Sequence, residues 1–128
     1  MSAALKDMFW VALGAALGAN LRYAVNRLAL NYLSASVPYG TLIVNVTGSM
    51  ILGFFLVWTS ERVLADPRWR PLVAVGFCGA YTTFSSYSFE TFALIEQGHY
   101  DLAGANFLAN NLLCLAGVLA GAMLARMI

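Results

Sequence analysis

Long apolar blocks separated by short polar turns make up most of the chain. Four blocks are visible, at about residues 8–33, 39–59, 72–96 and 102–127. A helix that crosses the hydrocarbon core of a bilayer, roughly 30 Å thick, needs about 20 residues, and each block is long enough. The pattern predicts an all-α integral membrane protein with four transmembrane helices in one domain, residues 1–128.

Composition supports this interpretation, because only 10% of the residues are charged while 61% are hydrophobic. Soluble domains contain about 25% charged residues. A net charge of +1 lacks the basic surface that a nucleic-acid partner requires. The first block imitates a signal peptide, but Asp7 and the three later blocks favour an uncleaved helix. Four helices are too few to enclose a transport path comfortably, so we expect an oligomer.

The third block departs from a plain membrane anchor between residues 76 and 90. It combines glycines, a run of hydroxyls, aromatic residues and an acid, Glu90. Because an unpaired polar group in lipid costs several kcal/mol, this stretch is expected to face protein or water. Beta-branched Thr82 and Thr83 after Gly79 predict a break in the helix. The position of Glu90 inside an apolar block makes it a candidate functional residue. Three roles are open for it: a hydrogen-bonded structural acid, a proton site, or part of a polar track.

Three further candidates each have two interpretations. Asn45 makes an interhelical hydrogen bond, or its amide donates to a passing anion. Phe84 and Tyr87, three residues apart, pack in a core, or their electropositive ring edges line an anion path. Arg22 extends its side chain to the far interface or lines an aqueous vestibule.

Small residues at helical spacing predict close packing between helices, in the pairs Gly14 with Gly18 and Gly117 with Gly121. Both cysteines, Cys78 and Cys114, fall inside apolar blocks and are interpreted as buried thiols. No nucleophile-and-base pair, cysteine–histidine metal spacing or phosphate loop stands out. An enzyme is therefore not predicted.

Three motifs together resemble the Fluc family of fluoride channels. They are Gly-Ala-x-x-Arg at residues 18–22, Pro-Tyr-Gly-Thr-Leu-x-x-Asn at 38–45, and Gly-Phe-x-Gly-x-x-Thr-Thr-Phe-Ser-x-x-Ser-x-Glu at 76–90. The resemblance covers all four blocks in order, and the third motif is the specific one. It implies a passive fluoride channel of the bacterial inner membrane that lowers cytoplasmic fluoride.

The resemblance also implies an assembly and a set of roles. The channel would be an antiparallel, dual-topology homodimer with a structural sodium ion on its axis, held by backbone carbonyls of Gly79 and Thr82. Arg22 would lie near the vestibule. The residues expected along the fluoride pathway are Asn45, Thr83, Phe84, Ser86, Tyr87, Glu90 and Asn110.

The chain departs from the family pattern at several positions. Tyr87 replaces the second pore phenylalanine, which adds a hydroxyl while the ring edge remains. In the fourth block, the positions of a pore tyrosine and serines carry Asn106, Asn110 and Cys114. The contribution of that block is left open.

Two other classes of protein compete with the channel. A small multidrug exporter needs a membrane-embedded acid in the first block, where this chain has Arg22 instead. A non-transporting assembly subunit would tolerate replacement of each polar residue in the third block. The count of cations also opposes dual topology. One predicted side has one or two, Arg27 alone or Arg27 with Arg22. The other side has five, which are Lys6, Arg62, Arg68, Arg70 and Arg126.

Overall fold

The computed structural model describes residues 2–62 and 66–128, and within these ranges it contains helices and no strand. The prediction of an all-α protein is confirmed. The elements in order are α1 (Ala3–Tyr32), α2 (Tyr39–Ser60), the π-type helix π1 (Arg70–Cys78), α3 (Gly79–Tyr81), α4 (Phe84–Glu96) and α5 (Tyr100–Met127).

Three of these helices, α1, α2 and α5, are each long and apolar enough to cross a membrane. Helix α1 begins before the apolar block does, because Ser2 caps it: the Ser2 hydroxyl accepts the Leu5 N–H at 3.3 Å. The third block is divided into π1, α3 and α4. The protein is therefore a multi-pass membrane protein whose third segment is built differently from the others.

Glycines let the helices approach closely. A methyl group at Gly14 or Gly18 would overlap backbone atoms of π1, at Leu72 and Phe77. On the other side, a methyl group at Gly121 would overlap the Met50 carbonyl of α2. These contacts hold α1 against π1 and α5 against α2. The helices that surround the third segment are thereby packed closely in place.

The link after α2, the start of α1 and the end of α5 meet at one end of the bundle. Arg62 donates to the Ile128 carbonyl at 2.8 Å, and the Arg68 guanidinium lies 5.6 Å from the centre of the Trp10 ring. Arg68 also pairs with Asp66, whose pKa its hydrogen bonds lower to about 2. Most cations of the chain thus cluster at this end.

Candidate functional site

The third segment is broken at Thr82 and Thr83, where the backbone is extended. The break lies within the predicted range and is held from both sides. Asn45 accepts the Thr83 N–H on its Oδ1 at 2.7 Å and donates its Nδ2 to the Thr83 carbonyl at 3.1 Å. The Thr83 hydroxyl in turn accepts the Ser86 N–H at 3.2 Å and caps α4. Asn45 therefore binds both backbone groups of one broken residue.

The side chains of Asn45 and Thr83 each accept a backbone N–H that, in a continuous helix, would donate to a backbone carbonyl. In a continuous helix the Thr83 N–H would bond to the Gly79 carbonyl, and the Ser86 N–H to the Thr82 carbonyl. Here both N–H groups bond to side chains instead. The carbonyls of Gly79 and Thr82, the two predicted sodium ligands, therefore lose their helical donors.

Arg22 lies beside the break. Its Nε donates to the Ala80 carbonyl at 3.0 Å, so the guanidinium satisfies a further acceptor at the end of α3. The contact places a positive charge from α1 next to the break; the vestibule role of Arg22 stays a prediction.

A ladder of amides leads away from Asn45 along α5. The Asn45 Nδ2 donates to Asn110 Oδ1, Asn110 Nδ2 donates to Asn106 Oδ1, each at 3.0 Å, and Asn106 Nδ2 donates to Thr91 Oγ1 at 2.9 Å. All three asparagines are buried. Two of the departures in the fourth block thus form one hydrogen-bonded chain that ties α2, α5 and α4 together.

The two candidate aromatics have opposite environments. Phe84 is 77% exposed in the isolated chain, whereas Tyr87 is 5% exposed. Their rings meet edge to face, with centroids 5.3 Å apart. Core packing therefore describes Tyr87 but not Phe84, whose ring points away from the chain's own core.

The first cavity, with a volume of about 340 Å³, lies alongside the break. Polar groups line it beside an aromatic wall. Its lining includes Asn45, Gly79, Thr82, Thr83, Phe84, Tyr87, Asn110, Asn111 and Cys114. Of the predicted pathway residues, only Ser86 and Glu90 are not in that lining.

The second cavity, about 430 Å³, lies between the α1–α2 turn and the α4–α5 turn. Glu90 and Thr41 line it, and the Thr41 hydroxyl donates to Glu90 Oε1 at 2.7 Å. Glu90 Oε2 is buried without a hydrogen-bond partner. Ser86 lies one helical turn before Glu90 on α4 and lines neither cavity.

Sequence reasoning missed two residues of this site. Thr41 is part of the second motif and lies one helical turn before Asn45, and that spacing is the signal that could have identified it. Asn111 donates to the Tyr87 hydroxyl at 3.0 Å. No motif indicated Asn111, because its partner is the hydroxyl by which Tyr87 departs from the family pattern.

Comparisons with known proteins agree with the motifs. The family described as CrcB-like protein, Camphor Resistance (CrcB), matches residues 9–122. A fluoride-specific ion channel FluC of Koribacter versatilis (strain Ellin345) is 51% identical over 98% of this chain and 99% of its own length. Proteins of the same name from Sulfurihydrogenibium sp. (strain YO3AOP1) and Coxiella burnetii (strain CbuK_Q154) are 45% and 43% identical, over 92% and 94% of this chain and 95% and 98% of their own lengths.

Proposed function

Because the chain belongs to the CrcB family, we propose that it is a fluoride channel that lets fluoride leave the cytoplasm passively across the inner membrane. The first cavity carries this proposal: an outward phenylalanine ring and hydrogen-bond donors lie together beside a broken helix. Relatives similar over almost their full length bear the name fluoride-specific ion channel.

Fluoride holds its hydration water strongly, so a pathway must replace that water with donors. The electropositive edge of Phe84 supplies one contact, and the Ser86 hydroxyl supplies another, while the Thr83 hydroxyl donates to Ser86 Oγ at 3.0 Å. In this proposal fluoride passes along α4 from the second cavity at Glu90 to the first. Asn45 lines the first cavity, yet both of its amide hydrogens are used within the protein. We therefore assign Asn45 the role of holding the break.

The channel is proposed to be an antiparallel homodimer. The face around the break is uncovered in one chain: Phe84 is mostly exposed, and a methyl group at Gly79 would meet nothing within 4 Å. A second copy in the opposite orientation would bring its own break against this face. Labelling a Ser2→Cys variant with an impermeant thiol reagent tests the arrangement. Dual topology requires labelling from both membrane faces, and labelling from one face only refutes it.

The cation count remains an objection to dual topology, but two of the five cations have acidic neighbours. Asp66 pairs with Arg68, and Glu61 Oε1 lies 3.6 Å from Arg126 Nε. Acids weigh little in the rule that places cationic loops in the cytoplasm. The labelling experiment therefore decides between the dual topology that the family motif implies and the single orientation that the cation count favours.

A sodium ion on the dimer axis is the proposed structural cofactor. Hard cations bind oxygen ligands, and unwound backbone carbonyls bind Na⁺ in membrane proteins. The Gly79 and Thr82 carbonyls, deprived of their helical donors, fit that requirement, and two chains would supply four oxygens. Elemental analysis of protein purified in potassium buffer should find one sodium ion per two chains. A content of less than about one sodium ion per ten chains would refute the site.

Growth of a host made sensitive to both fluoride and quaternary ammonium compounds tests the function against its two competitors. A fluoride channel restores growth in fluoride only. A small multidrug exporter restores growth in the ammonium compound, and an assembly subunit restores neither. Within the described part of α1, the single acid is Asp7, in its exposed second turn, which disfavours the exporter.

A further inference from the structure

The Tyr87 hydroxyl makes a contact of its own, in addition to the packing of the ring. It reaches α5 and receives a hydrogen bond from Asn111 Nδ2 at 3.0 Å. The second hydrogen of that amide is engaged as well, because Nδ2 also donates to the Phe107 carbonyl at 2.8 Å. The Asn111 amide is thus held in one orientation, with its nitrogen toward the tyrosine.

The direction of this bond decides what the hydroxyl can do. An amide nitrogen only donates, so the phenolic oxygen must be the acceptor. The phenolic hydrogen is left over, and among the described residues no acceptor is paired with it. A buried hydroxyl with its oxygen occupied and its hydrogen free is prepared to donate to something else.

The first cavity is where that hydrogen would be used. Tyr87 and Asn111 both line the cavity, together with Phe84. The Phe84 and Tyr87 rings are in edge-to-face contact, so the ring that carries the hydroxyl belongs to the same aromatic wall as the exposed ring. An O–H donor and a positive ring edge on one wall suit a small anion that accepts strong hydrogen bonds.

We propose that the Tyr87 hydroxyl is a fluoride-binding donor in the first cavity and that Asn111 positions it. The inference rests on the proposed function and adds a contact that the phenylalanine of the family pattern cannot make. Asn111 acts through Tyr87: by occupying the phenolic oxygen it directs the hydrogen away from α5. Fluoride, the halide that accepts hydrogen bonds most strongly, gains most from such a donor.

The chain offers a matched control for removing one hydroxyl. Tyr81 is also 5% exposed, and its hydroxyl shares a hydrogen bond with Thr47 Oγ1 at 3.0 Å. It does not line the first cavity. Tyr87→Phe and Tyr81→Phe each delete one buried hydroxyl, and only the first deletes the proposed ligand.

Fluoride efflux from proteoliposomes, measured over a range of fluoride concentrations, tests the proposal. Tyr87→Phe should raise the half-saturating fluoride concentration about tenfold, the loss expected for a hydrogen bond to a charged group. Tyr81→Phe should leave it within about twofold of the unaltered protein. Asn111→Ala should raise it by a smaller factor, and should add nothing in the Tyr87→Phe background because the group it positions is then absent.

The outcomes are separable. An unaltered half-saturating concentration in Tyr87→Phe, with the variant eluting as the parent protein does, overturns the proposal while fluoride conduction by the parent still supports the channel. Equal effects of Tyr87→Phe and Tyr81→Phe also overturn it, since loss of any buried hydroxyl would then suffice. A parent protein that conducts no fluoride refutes the proposed function itself.

Discussion

The two cavities differ in how completely their polar side chains are hydrogen-bonded. At the break, Asn45 makes three hydrogen bonds and its amide hydrogens are both engaged. At the second cavity, Glu90 has one oxygen bonded to Thr41 and one buried without a partner. Saturated groups fix a backbone, whereas an unsaturated group near a cavity is available for water or an ion. The residue type alone therefore does not show whether a polar side chain of this molecule holds the backbone or is available to an ion.

The largest expected effect belongs to Asn45→Asp. The change is nearly isosteric but replaces two donors with acceptors, which would face the Thr83 carbonyl and the Asn110 oxygen. Each buried group left unpaired costs about 1–3 kcal/mol. We expect fluoride efflux to be abolished while the variant elutes from size-exclusion chromatography as the parent protein does.

Asn20→Asp provides the control for this change. Asn20 is exposed and donates only within its own helix, to the Ala16 carbonyl at 2.7 Å. Its efflux should stay near that of the parent protein. An Asn45→Asp protein that still conducts would show that the break does not depend on the asparagine.

Phe84→Ile should have the next largest effect. The ring edge is lost and the side chain stays apolar, so efflux should fall more than about tenfold, as for any lost contact worth over about 1.4 kcal/mol. Folding stability should change by less than about 1.5 kcal/mol. Phe89→Ile is the control, because Phe89 lies on the same helix, is 69% exposed and lines neither cavity. Equal efflux in the two variants would remove the ring edge from the mechanism.

Thr83→Val tests the cap of α4. Valine keeps the shape of threonine but cannot accept the Ser86 N–H, so the helix should lose about 0.5–2 kcal/mol. We expect efflux to fall several-fold and the thermal unfolding midpoint in detergent to drop. Thr83→Ser restores the oxygen and should recover both; failure to recover would point to the methyl group instead of the hydroxyl.

Glu90→Gln should have the smallest effect. Glutamine keeps an oxygen for the Thr41 hydroxyl while it removes the acid. If Glu90 belongs to a polar track, efflux should stay within about threefold of the parent, a change of less than about 1 kcal/mol. Complete loss of efflux would instead identify Glu90 as an obligatory proton site.

The segments and the location of the break followed from sequence because they depend on local properties. Apolar length indicates a membrane helix, and Gly79 followed by two threonines indicates where a helix fails. The glycine pairs of α1 and α5 likewise indicated close packing, which the structure places against π1 and α2. The family resemblance supplied the candidate residues, and the matching relatives confirm the family.

The division of roles within the site could not be predicted, because it depends on partners distant in sequence. Asn45 holds Thr83, and Arg22 holds the Ala80 carbonyl across 58 positions of the chain. Phe84 and Tyr87 are neighbours on one helix, yet Tyr87 is buried and hydrogen-bonded to α5 while Phe84 is exposed. Spacing identifies which side chains are neighbours, but not which of them another helix covers.

Efflux from proteoliposomes, followed with fluoride and chloride electrodes in parallel, tests the central claim most directly. We predict rapid, passive fluoride efflux once the membrane potential is released with a potassium ionophore, and no chloride efflux above that of protein-free vesicles. Chloride efflux equal to fluoride efflux, or fluoride retention equal to that of protein-free vesicles, would contradict it.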